Sequence, residues 1–245
     1  MAQPRHSLLI AGIGAFMEWR VSRDIAGAEL AAAAFIAQML AQASEARGAA
    51  TFAISGGRSP WRMFDRLSVQ DVEWKLVHLF QVDERIVPAG DPARNWSHFL
   101  RSPLSGRIPP GNLHPMPVEL DDVQLAAGRY SATLAHWAGV PPQLDVVHLG
   151  IGEDGHTASL FADDVLLHDR RHWVGVSRPY EGHRRLTLTL PVLNAARTVV
   201  WFSVGGGRGA VLKRLQAADP GIAASHVRRE RAIVFTEQDA APAAA

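Results

Sequence analysis

Asp154-Gly155-His156 is the first place in the sequence with the means for acid–base chemistry. An imidazole beside a carboxylate can take a proton from water while the carboxylate orients the ring. The apolar run Leu144 to Leu149 reads as a buried strand and His156 to Phe161 as the start of a helix. The histidine is therefore expected in a first helical turn, where the positive end of the dipole favours the neutral ring. Asp154 favours the charged ring, and the residues alone do not decide between them. A plainer reading has Asp154 capping the helix and His156 at the surface.

Two further groups could receive an anion. Ser55-Gly56-Gly57-Arg58 lies between an apolar run and a helix expected from Pro60 to Leu67, with Ser59 as its cap. Glycines let backbone N–H groups approach an oxyanion closely, the helix end favours its charge, and Arg58 adds a cation. The bland alternative is an ordinary tight turn. Asp83-Glu84-Arg85 follows a second buried strand and puts three charges where a sheet would end, or else simply begins a solvated loop.

Gly150-x-Gly152-x-x-Gly155 has the spacing of a dinucleotide fingerprint between a strand and a helix. That fingerprint wants an acidic residue about 20 positions on, and the corresponding region is Trp173-Val174-Gly175-Val176. Asp154 and His156 also occupy the turn where a pyrophosphate needs bare backbone, so nucleotide binding is not expected. His168 and His172 have i, i+4 spacing, but no third ligand stands nearby, and no metal is expected.

The elements that must position these groups alternate. Ser22 to Arg47 reads as a long Ala-rich helix ended by Gly48, and Ala49 to Ile54 as a buried strand. Leu76 to Val82 is strand-like, Asn95 to Leu104 helical, and Asp121 to Trp137 an amphipathic helix beginning at an acidic pair. Trp173 to Ser177, Leu186 to Leu190, Thr198 to Val204 and Ala232 to Phe235 read as strands, with a helix over Gly207 to Ala218. The alternation predicts a single α/β domain, a modified doubly wound, Rossmann-like and mostly parallel sheet with helices on both faces, whose ligands bind beyond the carboxyl ends of the strands.

Composition narrows the partners. Hydrophobic residues make up 47% of the 245, ample for one large core. Lys and Arg number 25 against 24 Asp and Glu, so no long-range field favours nucleic acid or an anionic membrane. With no cysteine, disulfides and thiolate metal sites are excluded, which fits a reducing cytoplasm. No stretch is read as approaching the ~18 apolar residues of a membrane span. Residues 1–16 are expected as a loose extension, 17–238 as the domain and 239–245 as a disordered tail.

From about Met17 to Phe235 the chain resembles the 6-phosphogluconolactonase family. Its markers appear in order: the SGGxxP loop at Ser55 to Pro60, DERxVP at Asp83 to Pro88 with Asn95 following, LGxGxDGHTASLF from Leu149 to Phe161, and RxTLT from Arg185 to Thr189. The resemblance implies a fold shared with glucosamine-6-phosphate deaminases, and hydrolysis of 6-phospho-D-glucono-1,5-lactone to 6-phosphogluconate in the oxidative pentose phosphate pathway, with no metal or other cofactor. It implies a catalytic group of His156 as general base, Asp154 beside it and Arg85. Ser55, Gly56, Gly57, Arg58, Asp83, Arg185 and Arg208 would serve substrate binding. A monomer or weak homodimer in the cytoplasm is expected, with a sugar phosphate as its small-molecule partner and neither nucleic acid nor membrane.

The chain departs from the family pattern in places. Arg58 stands where a small polar residue is usual, Ala162-Asp163 replaces Pro-Gly, and Gly209 takes the place of a lysine, for which Arg208 offers a cation of different shape one residue earlier. Two competitors share the fold. An amino-sugar-phosphate deaminase would need a relay glutamate after the histidine, where Thr157 to Phe161 stands instead. A sugar-phosphate sensor would need a DNA-binding segment, and too few residues precede Met17 to form one.

Overall fold

Each apolar run proposed as a central strand is short and covered on both faces, which is what a parallel sheet between two helical layers requires. A computed structural model describes residues 17–57 and 59–242. In chain order its elements are β1 (Glu18–Ser22), α1 (Ile25–Arg47), β2 (Ala50–Ile54), α2 (Trp61–Ser68), β3 (Val77–Gln81), β4 (Asp83–Arg85), α3 (Asn95–Phe99), β5 (Leu113–His114), α4 (Val123–Ala138), β6 (Val146–Leu149), β7 (Val174–Val176), β8 (Arg185–Leu188), α5 (Leu190–Ala195), β9 (Thr198–Phe202), α6 (Gly209–Gln216) and β10 (Ala232–Glu237). Seven strands form a parallel sheet in the order β1-β10-β9-β6-β2-β3-β5. The other three make a small antiparallel sheet, β4-β8-β7.

The two-residue period of a strand divides the core. On β2, Phe52 and Ile54 face the cluster under α1 and α2, and Ala53 faces the cluster under α4, α5 and α6. Val82 joins the two sheets: its N–H donates to Ile54 O in the large sheet (2.9 Å) and its carbonyl accepts from Leu188 N in the small one (2.8 Å).

Several expectations need correction. Ser22 ends a strand, and α1 begins after Asp24, whose carboxylate accepts from Gly27 N (2.8 Å). Gly48 closes α1 in the left-handed region (φ 79°), as expected. By length and mean hydropathy (1.4) α1 could cross a bilayer, because alanines raise its average, but its buried face packs on the large sheet and α2. Ser59 does not cap α2, which starts from Pro60 with no side-chain bond. Asp83 to Arg85 is a strand instead of a loop. The helix expected to Leu104 stops at Phe99, and Pro103, which cannot continue its ladder, opens a separate 3₁₀ turn over Pro103–Gly106. Leu190, expected to end a strand, begins α5 with Pro191 in its first turn.

The largest correction concerns His156 to Phe161, which is no helix. Thr157 and Leu160 form a bridge around a tight turn with Ala158 at φ 52°. Thr157 Oγ1 donates to Gly150 O (2.9 Å), Ser159 Oγ to Asp83 Oδ2 (2.7 Å), and Ser159 N to Thr187 Oγ1 (3.1 Å). Hydroxyl bonds to backbone and to neighbouring strands outcompete the helical ladder here. The expectation of a helix dipole acting on His156 falls with it, as does a capping role for Asp154. At the other end Ala240 is buried against the core, inside the segment expected as a tail. The expected extension over residues 1–16, Arg58 with the role given to it, and residues 243–245 lie outside the described residues.

Candidate active site

The carboxyl ends of β2, β6 and β9 and the near edge of the small sheet surround a cavity of about 650 Å³. β2 delivers Ser55-Gly56-Gly57, the β6 turn delivers Asp154 and His156, β4 and β8 deliver Asp83, Arg85 and Arg185, and the turn after β9 delivers Arg208. Every proposed site residue within the described residues lines it.

On one wall His156 Nδ1 lies 2.6 Å from Asp154 Oδ1, which also accepts from His156 N (3.1 Å). Nδ1 is thus engaged, leaving Nε2 as the nitrogen free to act. Burial pushes the Asp154 carboxyl upward, but the His156 N–H, the imidazole charge and the side-chain bond outweigh it and hold the group below the usual carboxylate range. The rings of Phe161 and Tyr180 stand 5.1 and 5.3 Å from the imidazole. Gly152 leaves no space for a side chain: a Cβ would run into the His156 ring and come within 2.6 Å of Asp154 Oδ1. The glycine that a nucleotide fingerprint would reserve for pyrophosphate makes room for an imidazole instead.

The part of the lining that comes from the small sheet is cationic. Antiparallel pairing of β4 and β8 sets Arg85 directly across from Arg185. Like charges so placed repel, and an anion between them relieves the repulsion. Burial is the first cause lowering the Arg185 pKa; Asp83 and Glu181 raise it and Arg85 lowers it further. Arg85 Nη1 donates to Asn95 Oδ1 (2.6 Å) and to Ala93 O (3.2 Å). Asn95 in turn presses on the glycine loop, since a Cβ at Gly56 would collide with its amide. Arg208 donates to Ile151 O (2.7 Å) and reaches the same cavity.

Glu84, fully buried, organises this wall. Its carboxylate accepts from Gln81 Nε2, Arg85 N, Asn95 N and Trp96 N, each at 2.8 Å. Asp83 faces the cavity, with Oδ2 taken by Ser159.

Several lining residues escaped the sequence reading, Asn95, His148 and Tyr180 among them. Asn95 was noted only as a marker, though a polar residue just after an acidic-basic cluster is a usable signal. His148, 1% exposed at the tip of β6, packs its ring on Phe64 and Phe202, and burial pushes its pKa down to about 3, so it stays neutral. A histidine alone in an apolar run gave no hint of that. Tyr180 comes from a turn with no motif at all.

For metal, among the described residues no group of three His, Asp or Glu side chains gathers with ligating geometry. His172 is paired with Asp169 (2.7 Å) and His168 meets His226 edge-on.

Residues 24–235 match the family model of glucosamine-6-phosphate isomerases/6-phosphogluconolactonase. The chain is 38% identical over 183 residues to a 6-phosphogluconolactonase of Synechocystis, covering 71% of this chain and 75% of that one. It is 36% identical over 212 residues to the 6-phosphogluconolactonase of Mycobacterium tuberculosis, covering 80% and 85%. Among solved structures, 6-phosphogluconolactonase from Thermotoga maritima superposes with a TM-score of 0.80 at 26% identity, covering 90% of this chain and 99% of that one.

Proposed function

The chain belongs to the glucosamine-6-phosphate isomerase/6-phosphogluconolactonase family, and from that premise we propose how its own residues carry out the reaction. The activity is hydrolysis of 6-phospho-D-glucono-1,5-lactone to 6-phospho-D-gluconate, a step of the oxidative pentose phosphate pathway. The observation that carries the residue assignment is that an Asp-held imidazole with one free nitrogen and a cross-strand arginine pair line the same cavity of about 650 Å³.

A δ-lactone opens slowly in water unaided, so one base and a few donors suffice. His156 Nε2 takes a proton from a water as its oxygen bonds to the lactone carbonyl carbon. Asp154 steadies the imidazolium that results. When the tetrahedral centre collapses, the bond from carbon to the ring oxygen breaks and the imidazolium returns its proton to that oxygen, while the new carboxylic acid loses its proton to solvent. The phosphate, held by Arg85, Arg185, Arg208 and the amides of the Ser55-Gly56-Gly57 loop, supplies binding energy far from the reacting carbon and fixes the lactone for attack. Asp83 holds the Ser159 turn against the arginine wall and offers an acceptor to the sugar. The near-neutral charge and the seating of α1 on the sheet support an enzyme that binds neither nucleic acid nor membrane.

The test generates the phosphorylated lactone in situ and follows its disappearance against the spontaneous rate. His156→Ala should lower turnover ~100-fold or more, while 6-phosphogluconate still binds. Loss of binding with turnover unchanged reverses the assignment.

A further inference from the structure

Arg185 is only 3% exposed, its Nε has no hydrogen-bond partner, and its nearest anion is supplied by its own chain: Glu181 Oε2 lies 3.5 Å from Nη2. Glu181 sits in a two-residue hairpin turn closed by Tyr180 N to His183 O (3.0 Å) and His183 N to Tyr180 O (3.1 Å). Both central residues are left-handed, Glu181 at φ 49° and Gly182 at φ 79°. Such turns favour Asn or Asp before Gly, because a longer side chain gains nothing local from a conformation that strains it. Glutamate has one property the shorter residues lack here, reach: from the first turn position it returns to the arginine four residues on. The same hairpin lays Tyr180 over Arg185 (5.0 Å) and beside His156, so the carboxylate lines the cavity.

We propose that Glu181 is a built-in counter-ion for Arg185, occupying the guanidinium in the free enzyme and yielding it to the phosphate of an incoming ligand. This rests on the reading above that Arg185 receives the substrate's phosphate. The carboxylate carries a single charge on an exposed arm, whereas a phosphate dianion brings about twice the charge and three acceptor oxygens. A phosphorylated sugar displaces it; an unphosphorylated lactone, with no anion to offer, does not. Glu181 thereby acts as a specificity-determining residue that raises the charge a ligand must bring.

The experiment measures 6-phosphogluconate and inorganic phosphate binding by calorimetry, and KM and kcat on the phosphorylated lactone. It uses wild type, Glu181→Gln and, as a charge control, Glu153→Gln, which removes a carboxylate from the same cavity rim without touching Arg185. Glu181→Gln should tighten both ligands by about threefold, the range of an exposed ion pair. KM should fall in the same proportion with kcat unchanged, and Glu153→Gln should show less than half that gain. In an Arg185→Met background the gain from Glu181→Gln should vanish. Equal tightening in the two single variants, no tightening in Glu181→Gln, or a gain that survives Arg185→Met overturns the proposal. Failure of wild type to hydrolyse the lactone would instead count against the hydrolase reading, and the phosphate titrations would still test the counter-ion.

Discussion

Gly152→Ala isolates the chemistry from the fold. Gly152 is not among the left-handed glycines, so alanine fits its backbone, and the turn stays held by Gly152 N to His156 O (2.8 Å) and Gly155 N to Gly152 O (2.9 Å). The added methyl, however, would sit 2.6 Å from Asp154 Oδ1 and closer still to the imidazole, where an ordinary contact needs 3.4 Å. Carboxylate and ring must each retreat by about 1 Å, a misplacement that costs on the order of 100-fold in rate, or about 2.7 kcal/mol of transition-state stabilisation. Stopped-flow measurement of lactone loss, corrected for spontaneous opening, should show that fall in kcat while 6-phosphogluconate affinity stays within about threefold of wild type. Gly150→Ala is the comparison in the same turn: its added Cβ meets nothing within 4 Å, so the Asp154–His156 pair stays seated, and because Gly150 lines the cavity any effect should fall on KM and not on kcat. Wild-type kcat in Gly152→Ala, or an equal loss in Gly150→Ala, would refute the claim that this glycine exists to seat the catalytic pair.

Two other outcomes follow from the geometry. Burial lowers the pKa of His148 to about 3, and burial with the charges of His78 and His136 lowers that of His114 to about 4. The unfolded chain, whose histidines titrate near 6.5, therefore binds more protons as pH drops, and stability should decline as pH falls below about 6.5, by roughly 1 kcal/mol per pH unit from the fully buried His148 and by less from the half-buried His114 and His78, whose charges water screens. Urea denaturation at pH 7 and 4.5 reads this, and His148→Leu should remove the largest single share of the difference between the two pH values. Glu84→Gln replaces one carboxylate oxygen with an amide donor facing backbone N–H groups, which should destabilise by roughly 2–3 kcal/mol in denaturant melts and raise KM through the loosened Arg85 and Asn95.

The alternation of strands and helices was legible because each layer is written in local periodicity, and the loops that carry charge were legible because Gly, Asp and Arg interrupt that periodicity. What stayed hidden is set by distant partners. The three glycines of the β6 turn look alike in sequence, yet Gly150 faces open space, Gly152 faces His156 and Gly155 packs on Ile222, far along the chain. Asp83 to Arg85 reads as a loop because three charged residues make a poor strand; only pairing with β8, about a hundred residues later, makes them one and sets the two arginines side by side. His156 to Phe161 carries residues compatible with a helix start, and it was the hydroxyls of Thr157 and Ser159, bonded to Gly150 and Asp83, that decided otherwise. Tyr180 and Glu181 enter the site through a hairpin whose importance depends on where Arg185 points.

Val82 belongs to both sheets through two backbone bonds made by one residue. The base side of the cavity is anchored in the seven-stranded layer and the arginine side in the three-stranded one, so the gap between them is spanned by main chain. Because those two bonds use no side chain, the joint itself does not depend on which residues carry the charge, and a lineage could refit Arg85 and Arg185 to another anion while inheriting Asp154 and His156 unchanged.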